Sequence, residues 1–497
     1  MSTSTTEVPS PWAGELAPDR PYKMLLDGQF VDAADGQTFQ CEYPFTGEAW
    51  GAVPLASTDD VDRAVKAAHR AFDGGWATTR PAERASLLRR LGQLLLEDAE
   101  VLGLLQVHEN GKLLTEMGVT GASMAAMADF MAGLAESVHG YTSQSNLPHM
   151  VSYTLREPIG VVAAITPWNS PLGLLGWKLF PALAAGNTIV IKPSEVTPLS
   201  TLRLGELCMR AGLPPGVVNV VTGHGPTGAA LVEHPLVDKI AFTGSTATGH
   251  AIARAAAARN ARVTLELGGK SPNIIFADAD LDAAVNGIIK GIFGASGQTC
   301  MAGSRILVQD TIGNDFFAEL ARRVSALRLG DPLDSATQIA PLASRAQLAK
   351  VLSYLDIARD EGAQELTGGS RPTDAALADG FFVEPTIFTS VRNSFRIARE
   401  EVFGPVGAVI RFSDEDEAVR IANDTPYGLA AAVWTESLKR GHRMIPRLRA
   451  GTIWLNDYRV AELSRPFGGY KQSGIGREMG LDALDAYTET KSVFISL

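Results

Sequence analysis

Along most of the chain, short apolar runs rich in β-branched residues alternate with longer segments whose polar positions recur at helical spacing. "IGVVAAITP" (159–167), "NTIVIKP" (187–193), "GVVNVVTG" (216–223) and "KIAFTG" (239–244) are apolar nearly throughout, the signature of strands buried on both faces. Helical patterns such as "TLRLGELCMRAG" (201–212) lie between them. That alternation predicts a parallel sheet with helices on both sides. The pattern restarts at "SPNIIFADADLDAAVNGIIKGIFG" (271–294) and runs on through "SRILVQD" (304–310), so a second α/β domain is expected, with a boundary near Glu266 to Lys270.

Helix starts are marked at "TDDVDRAVKAA" from Thr58, "DADLDAAV" from Asp278 and "SDEDEAV" from Ser413. In each, a Ser or Asp side chain can accept the free N–H groups of the first turn, and acidic charge suits the positive end of the helix dipole. "SYTLREPIG" (152–160) alternates like a half-exposed strand, and "KSVFISL" (491–497) reads as another. Both fit edge strands of the kind that pair across subunit interfaces.

Composition narrows the classes. At 497 residues the chain is expected to form more than one folded unit, and 45% hydrophobic with 20% charged residues is ordinary for a globular protein. The net charge of −11, with no basic block, argues against nucleic acid and anionic membranes as partners. Cys41, Cys208 and Cys300 are odd in number and scattered, which argues against a disulfide framework or a metal cluster and for a reducing compartment. The first 20 residues lack the basic start and apolar run of a secretory signal and read as a loose polar tail. No apolar run is long enough to span a bilayer, so a cytoplasmic protein is expected.

Candidate chemistry clusters where strands end. Cys300 in "ASGQTCMAG" sits among small and polar neighbours, between Gly297 and Gly303. It fits a buried filler or a nucleophile, and a helix starting there would lower its pKa. Glu266 in "LELGGK" closes an apolar strand before a Gly-Gly turn: either an exposed strand end or a desolvated base, with the glycines marking a close backbone approach. "FTGSTATG" (242–249) opens a helix with Gly244 and Ser245, as a capped turn or a pyrophosphate site. "IKPSE" (191–195) ends a strand with Lys192 and Glu195, the latter suited to ribose hydroxyls. In "TPWNS" (166–170), Asn169 is a turn former or an amide donor. Three such strand ends together meet the rule that open α/β sheets bind ligands beyond their carboxyl ends.

In their order, "PWN" (167–169), "KPSE" (192–195), "FTGST" (242–246), "ELGGK" (266–270), "GQTC" (297–300), "EEVFGPV" (400–406) and "PFGGYKQSGIGRE" (466–478) resemble the motifs of the NAD(P)-dependent, non-acylating aldehyde dehydrogenase superfamily. The resemblance runs from about Leu25 to the C-terminus. It implies that Cys300 attacks an aldehyde to form a thiohemiacetal and then a thioester, that Asn169 and the Cys300 N–H hold the oxyanion, and that Glu266 activates the hydrolytic water. It further implies cofactor contacts at Ile165, Thr166, Trp168, Lys192, Glu195, Gly244, Ser245, Leu267, Glu401 and Phe403, with no metal in the chemistry. Glu195 favours NAD, while Lys192 leaves NADP open.

The fold so implied is a Rossmann-like cofactor-binding domain (21–139 and 159–266), a second α/β catalytic domain (267–480) and a small β oligomerisation arm (140–158 and 481–497), in a homodimer or homotetramer. "PFGGYKQSGIGRE" is expected to be a glycine-rich turn leading to a helix. For the substrate pocket, the resemblance points to the helix near Met117 to Met124, to Trp177, to Met301 and to the loop "WLNDYRVAELSRPF" (454–467). Arg459 and Arg465 suit the carboxylate of a semialdehyde acid, whereas Met124, Trp168 and Trp177 suit an apolar or aromatic tunnel. Ser170 stands where many relatives carry Phe. A CoA-acylating enzyme on the same fold commonly lacks the glutamate, and a non-enzymatic relative would be expected to have lost Cys300, Asn169 or Glu266; all three are present.

Overall fold

The computed structural model describes residues 22–497, so the polar segment read as a tail lies outside the described residues, apart from its junction at Tyr22. Two large sheets dominate. In the first, five parallel strands stand in the spatial order Val218–Val220, Thr188–Lys192, Val161–Ile165, Lys239–Thr243, Arg262–Glu266. The four apolar runs of the sequence are the first four of these. The chain runs outward from Val161–Ile165 in one direction, then returns to that strand's other side at Lys239–Thr243. This reversal makes a switch point, where loops part and leave a crevice.

The side chains of each central strand divide between two cores. Val162, Ala164, Ile189 and Ile191 pack into one, and Val161, Ala163, Ile165, Val190, Ile240 and Phe242 into the other. Strand residues alternate in direction, so a run that is apolar throughout can be buried only by helices on both faces. Each fully buried Val, Ile or Leu contributes about 1.5–3 kcal/mol.

Between Glu266 and Pro272 the chain leaves the first sheet for the second. The second sheet runs Gln364–Thr367, Thr386–Thr389, Val406–Phe412, Arg305–Gln309, Pro272–Ile275, Ala430–Trp434, Thr452–Leu455, parallel except for its first pair. Its strands divide in the same way, Ile274, Leu307 and Ile410 to one core and Ile275, Ile306 and Val409 to the other. The helix starts hold as well. Ser57, Asp280 and Asp414 cap the helices Thr58–Asp73, Leu281–Ile292 and Glu415–Asn423, each accepting a first-turn N–H.

One segment differs from expectation. "PFGGYKQSGIGRE" does not lead directly into a helix: Tyr470–Lys471 pairs with Tyr427–Gly428, and Gly474–Ile475 adds antiparallel to Arg262–Glu266, returning the chain to the first sheet. Gly468, Gly474 and Gly476 have φ of +156°, +155° and +87°, outside helical space, and a Cβ at Gly474 would collide with Leu265 O. The helix that follows is the single turn Asp482–Asp485. The two expected edge strands pair with each other, Met150–Pro158 against Thr488–Ser496. No helix of the described residues is long and apolar enough to cross a membrane.

Candidate active site

The carboxyl ends of the first sheet face the second across a cleft lined by Trp168, Asn169, Gly244, Ser245, Glu266, Leu267, Cys300, Glu401 and Phe403 among others. Nine of the residues singled out from the sequence thus share one cavity. Ile165 lines an adjoining groove, Thr166 is buried with its hydroxyl unpartnered, and Lys192 and Glu195 lie at the end of the next strand.

Cys300 is delivered by a strained loop. Ala295, Ser296 and Gly297 are consecutive left-handed residues, with φ of +57°, +52° and +72°. Non-glycine residues in such conformations cost about 1–3 kcal/mol each and persist only where neighbours fix them. Here Glu116 Oε1 accepts the Ala295 N–H at 2.8 Å, Ser296 Oγ bonds both to Ala340 O (2.8 Å) and to Ala340 N (3.0 Å), and Gln298 Oε1 accepts the Ala343 N–H at 2.9 Å. A Cβ at Gly297 would collide with Gly404 O, and one at Gly269 with Cys300 O, which is the close approach that the Gly-Gly turn predicted.

The thiol itself departs from expectation. No helix begins at Cys300; it lies in a turn before the strand Arg305–Gln309. The N–H groups of Cys300 and Met301 favour the thiolate, but burial outweighs them and, with the carboxylates of Glu401 and Glu266, pushes the thiol up to about 12. Asn169, buried beside it, donates one amide N–H to Gln298 O at 3.0 Å, which leaves its other for a ligand oxygen.

Glu266 ends its strand nearly fully buried, with Oε2 unpartnered. Burial holds its carboxyl well above the usual range, and Glu478 pushes it further, while Lys178 and Arg477 oppose. Lys178 and Glu478 were not singled out from the sequence as site residues. Lys178, wholly buried on the helix Pro171–Ala185, donates to Glu478 Oε1 and to Thr243 Oγ1, both at 2.6 Å. A lysine inside "LLGWKLFPALAA" was the available signal, since a buried ammonium requires a partner.

The remaining residues fit an extended dinucleotide. An apolar groove between the helices Gly225–Glu233 and Thr246–Ala257, lined by Ile165, Gly225, Val232 and Ile252, can take a flat ring, and a Cβ at Gly225 meets nothing within 4 Å. Lys192 Nζ and Glu195 Oε2, 3.5 Å apart, stand at the adjoining strand end. Ser245 caps the helix Thr246–Ala257 by accepting the Thr248 N–H, so the capped turn is real; the other first-turn N–H groups have no helical partner and can meet phosphate oxygens. Toward Cys300, Glu401 accepts the Gly269 N–H at 2.9 Å and stays above its ordinary range through burial. The Phe403 ring meets Trp168 edge-on at 5.2 Å. Gln347 and Lys350 join this wall and were missed by sequence reasoning.

On the far side of Cys300 pack Trp177, Met301, Leu463 and Phe467, with Trp177 and Phe467 centroids 5.0 Å apart. Met124 is fully buried in the core rather than on an open wall, and Trp168 lines the cleft beside Phe403. Arg465 is 78% exposed and lies 3.8 Å from Glu462, so it points to solvent. Arg459 donates to Lys290 O at 3.3 Å. Ser170 Oγ, half-buried, accepts from Lys112 Nζ at 3.4 Å.

Comparison with known proteins agrees with this geometry. The model of the aldehyde dehydrogenase family matches residues 30–493. A betaine aldehyde dehydrogenase of Bacillus subtilis is 44% identical over 473 residues, covering 95% of this chain and 96% of that protein. The NAD+ complex of an aldehyde dehydrogenase from Bacillus cereus superposes with a TM-score of 0.93 at 44% identity, covering 96% of this chain and 97% of that one. A betaine aldehyde dehydrogenase from Staphylococcus aureus in complex with NAD+ gives 0.94 at 40%, covering 95% and 94%.

Proposed function

The chain belongs to the aldehyde dehydrogenase family, and from that premise we propose that it oxidises an aldehyde to the carboxylic acid with Cys300 as nucleophile, Asn169 as oxyanion donor and Glu266 as base. Membership makes it an NAD(P)-dependent aldehyde dehydrogenase acting on a small-molecule aldehyde. The observation that carries the residue assignments is that all three side chains line one cleft at the switch point of the first sheet.

The thiol must lose its proton to solvent in the cleft before it attacks, because the thiolate is the nucleophile. Cys300 then bonds to the aldehyde carbon, and the oxygen takes the negative charge between the Asn169 amide and the Cys300 N–H. The cofactor site would supply, with NAD bound, a hydride acceptor and a cationic ring that favours the thiolate. Lys192 and Glu195 hold a ribose, Gly244 and Ser245 receive the pyrophosphate, and Glu401 with Phe403 orients the reacting end. Ile165, Thr166, Trp168 and Leu267 complete the walls. Glu266 next removes a proton from water as it attacks the thioester. Lys178 and Glu478, whose charges act on Glu266 from the buried side, set how strongly it holds that proton.

The domain division 21–139 with 159–266, 267–480, and 140–158 with 481–497 is supported by the sheet change after Glu266. Gly474–Ile475, although within 267–480, serves the first sheet. Apolar side chains on the paired outer strands, Val151, Leu155, Phe494 and Ile495, are 41–68% exposed, which supports a homo-oligomer through that ladder. A cytoplasmic location fits the scattered cysteines. Purified protein with NAD should generate NADH from a panel of aliphatic, aromatic and acidic aldehydes. Glu266→Gln should accumulate an acyl-enzyme, detected as added mass on Cys300. Silence across the panel with NAD binding confirmed would overturn the reading.

A further inference from the structure

A buried cation near the cleft, Lys112, makes no direct ion pair among the described residues, and the carboxylate of Glu116 acts on it only through its field. Lys112 is 3% exposed. Its backbone is fixed: Gly111 ends the helix Ala99–Asn110 at φ +74°, and Asn110 Oδ1 accepts the Lys112 N–H at 2.9 Å. Asn110 Nδ2 also donates to Trp168 O at 3.4 Å, which ties this corner to the segment carrying Asn169 and Ser170. The ammonium has three donors and one long bond, to Ser170 Oγ at 3.4 Å. Burial lowers the lysine to about 8; Glu116 and Cys300 favour its charge, and Arg459 adds a second positive field. Glu116 spends Oε1 on the Ala295 N–H, and its Oε2 is buried without a partner.

Ser170 is half-buried and adjacent to the amide that receives the oxyanion. Ser170 is thus a small hydroxyl residue beside that amide, and the Lys112 ammonium stands behind it, 3.4 Å from its Oγ. We infer that Lys112, reached past Ser170, is a specificity-determining residue that anchors an anionic group, making carboxylate-bearing aldehydes the preferred substrate class. This rests on the assignment of Cys300 as nucleophile. It moves the anchoring role from the solvent-facing Arg465 to a residue that the sequence did not advertise. The same field disfavours a quaternary ammonium aldehyde.

The test compares three aldehydes with NAD: 4-oxobutanoate, its neutral methyl ester and the cationic betaine aldehyde. Wild type should prefer them in that order in kcat/KM. Lys112→Met should lose about 30-fold or more for 4-oxobutanoate, mainly through KM, while the ester changes by less than about threefold. Lys112→Arg should keep the preference. Ser170→Phe, which leaves the ammonium in place but bars the way to it, should lose the preference as well and covers the case in which Lys112→Met fails to fold. Wild type turning over the ester as well as or better than 4-oxobutanoate, equal losses on both substrates in Lys112→Met, or an undiminished preference in Ser170→Phe would each overturn the anchor and leave the Cys300 assignment standing. Absence of NADH from all three aldehydes would overturn that assignment, and the anchor with it.

Discussion

Replacing Lys178 by Met tests how the buried charges behind Glu266 set its basicity. The substitution keeps most of the side-chain volume and removes the cation 2.6 Å from Glu478 Oε1. Glu266 and Glu478, 3% and 2% exposed, are then left with Arg477 opposing the first and Lys239 opposing the second. At an effective dielectric of about 20, the attraction removed from Glu478 is about 6 kcal/mol gross. Stripping one partner from a buried pair costs about 3–5 kcal/mol in practice. The variant should therefore melt at a lower temperature. Lys178 pulls the raised pKa of Glu266 down, so removing Lys178 lifts it further, and the ionised base forms only at higher pH. A nearby opposite charge is worth about 1–3 pH units, and each unit is about tenfold in ionised base at neutral pH. Rapid mixing should show a burst of NADH from acylation, followed by slowed steady-state turnover that recovers as pH rises. A turnover limb that stays in place or moves toward acid, in a variant that still gives a burst, would refute the reasoning.

Other consequences are as direct. Glu478→Gln removes the carboxylate that pushes Glu266 up, so the same kcat–pH limb should move toward acid. Asn169→Ala should lower kcat by about 10²–10³ while NAD affinity, measured by fluorescence, stays unchanged. Gly297→Ala puts a Cβ into Gly404 O at a left-handed position and should lower the melting temperature in a thermal scan and remove activity. Glu195→Ala removes a carboxylate 3.5 Å from Lys192, so the ratio of kcat/KM with NADP to that with NAD should rise.

The parts legible in the sequence were those that local pattern encodes. Runs such as "VVAAI" and "TIVIK" had to be doubly covered strands, and helix starts were legible at Thr58, Asp278 and Ser413, close to the observed caps Ser57, Asp280 and Asp414, because the reasons lie within a few residues. Gly269 was legible as a close approach, though not that Cys300 O is what it meets. What stayed hidden depends on distant pairs. Ala295 and Ser296 carry no mark of their left-handed conformation, which Glu116 and Ala340 impose from elsewhere in the chain. The raised thiol follows from enclosure by two sheets, a property of assembly that the flanking glycines do not report. Arg465 misled because a charge in a loop does not announce which way it faces.

The short strand Gly474–Ile475 closes the open edge beside Glu266, and Glu478 follows it directly. During synthesis the first sheet therefore leaves the ribosome with a bare flank and its buried lysine unneutralised, and only the stretch 474–478, translated long after the sheet's other strands, corrects both. A chain cut short in that region would retain most of its helices and strands yet expose a sticky β edge and a stranded cation. Quality control would thus meet premature products as aggregation-prone species rather than as slow enzymes.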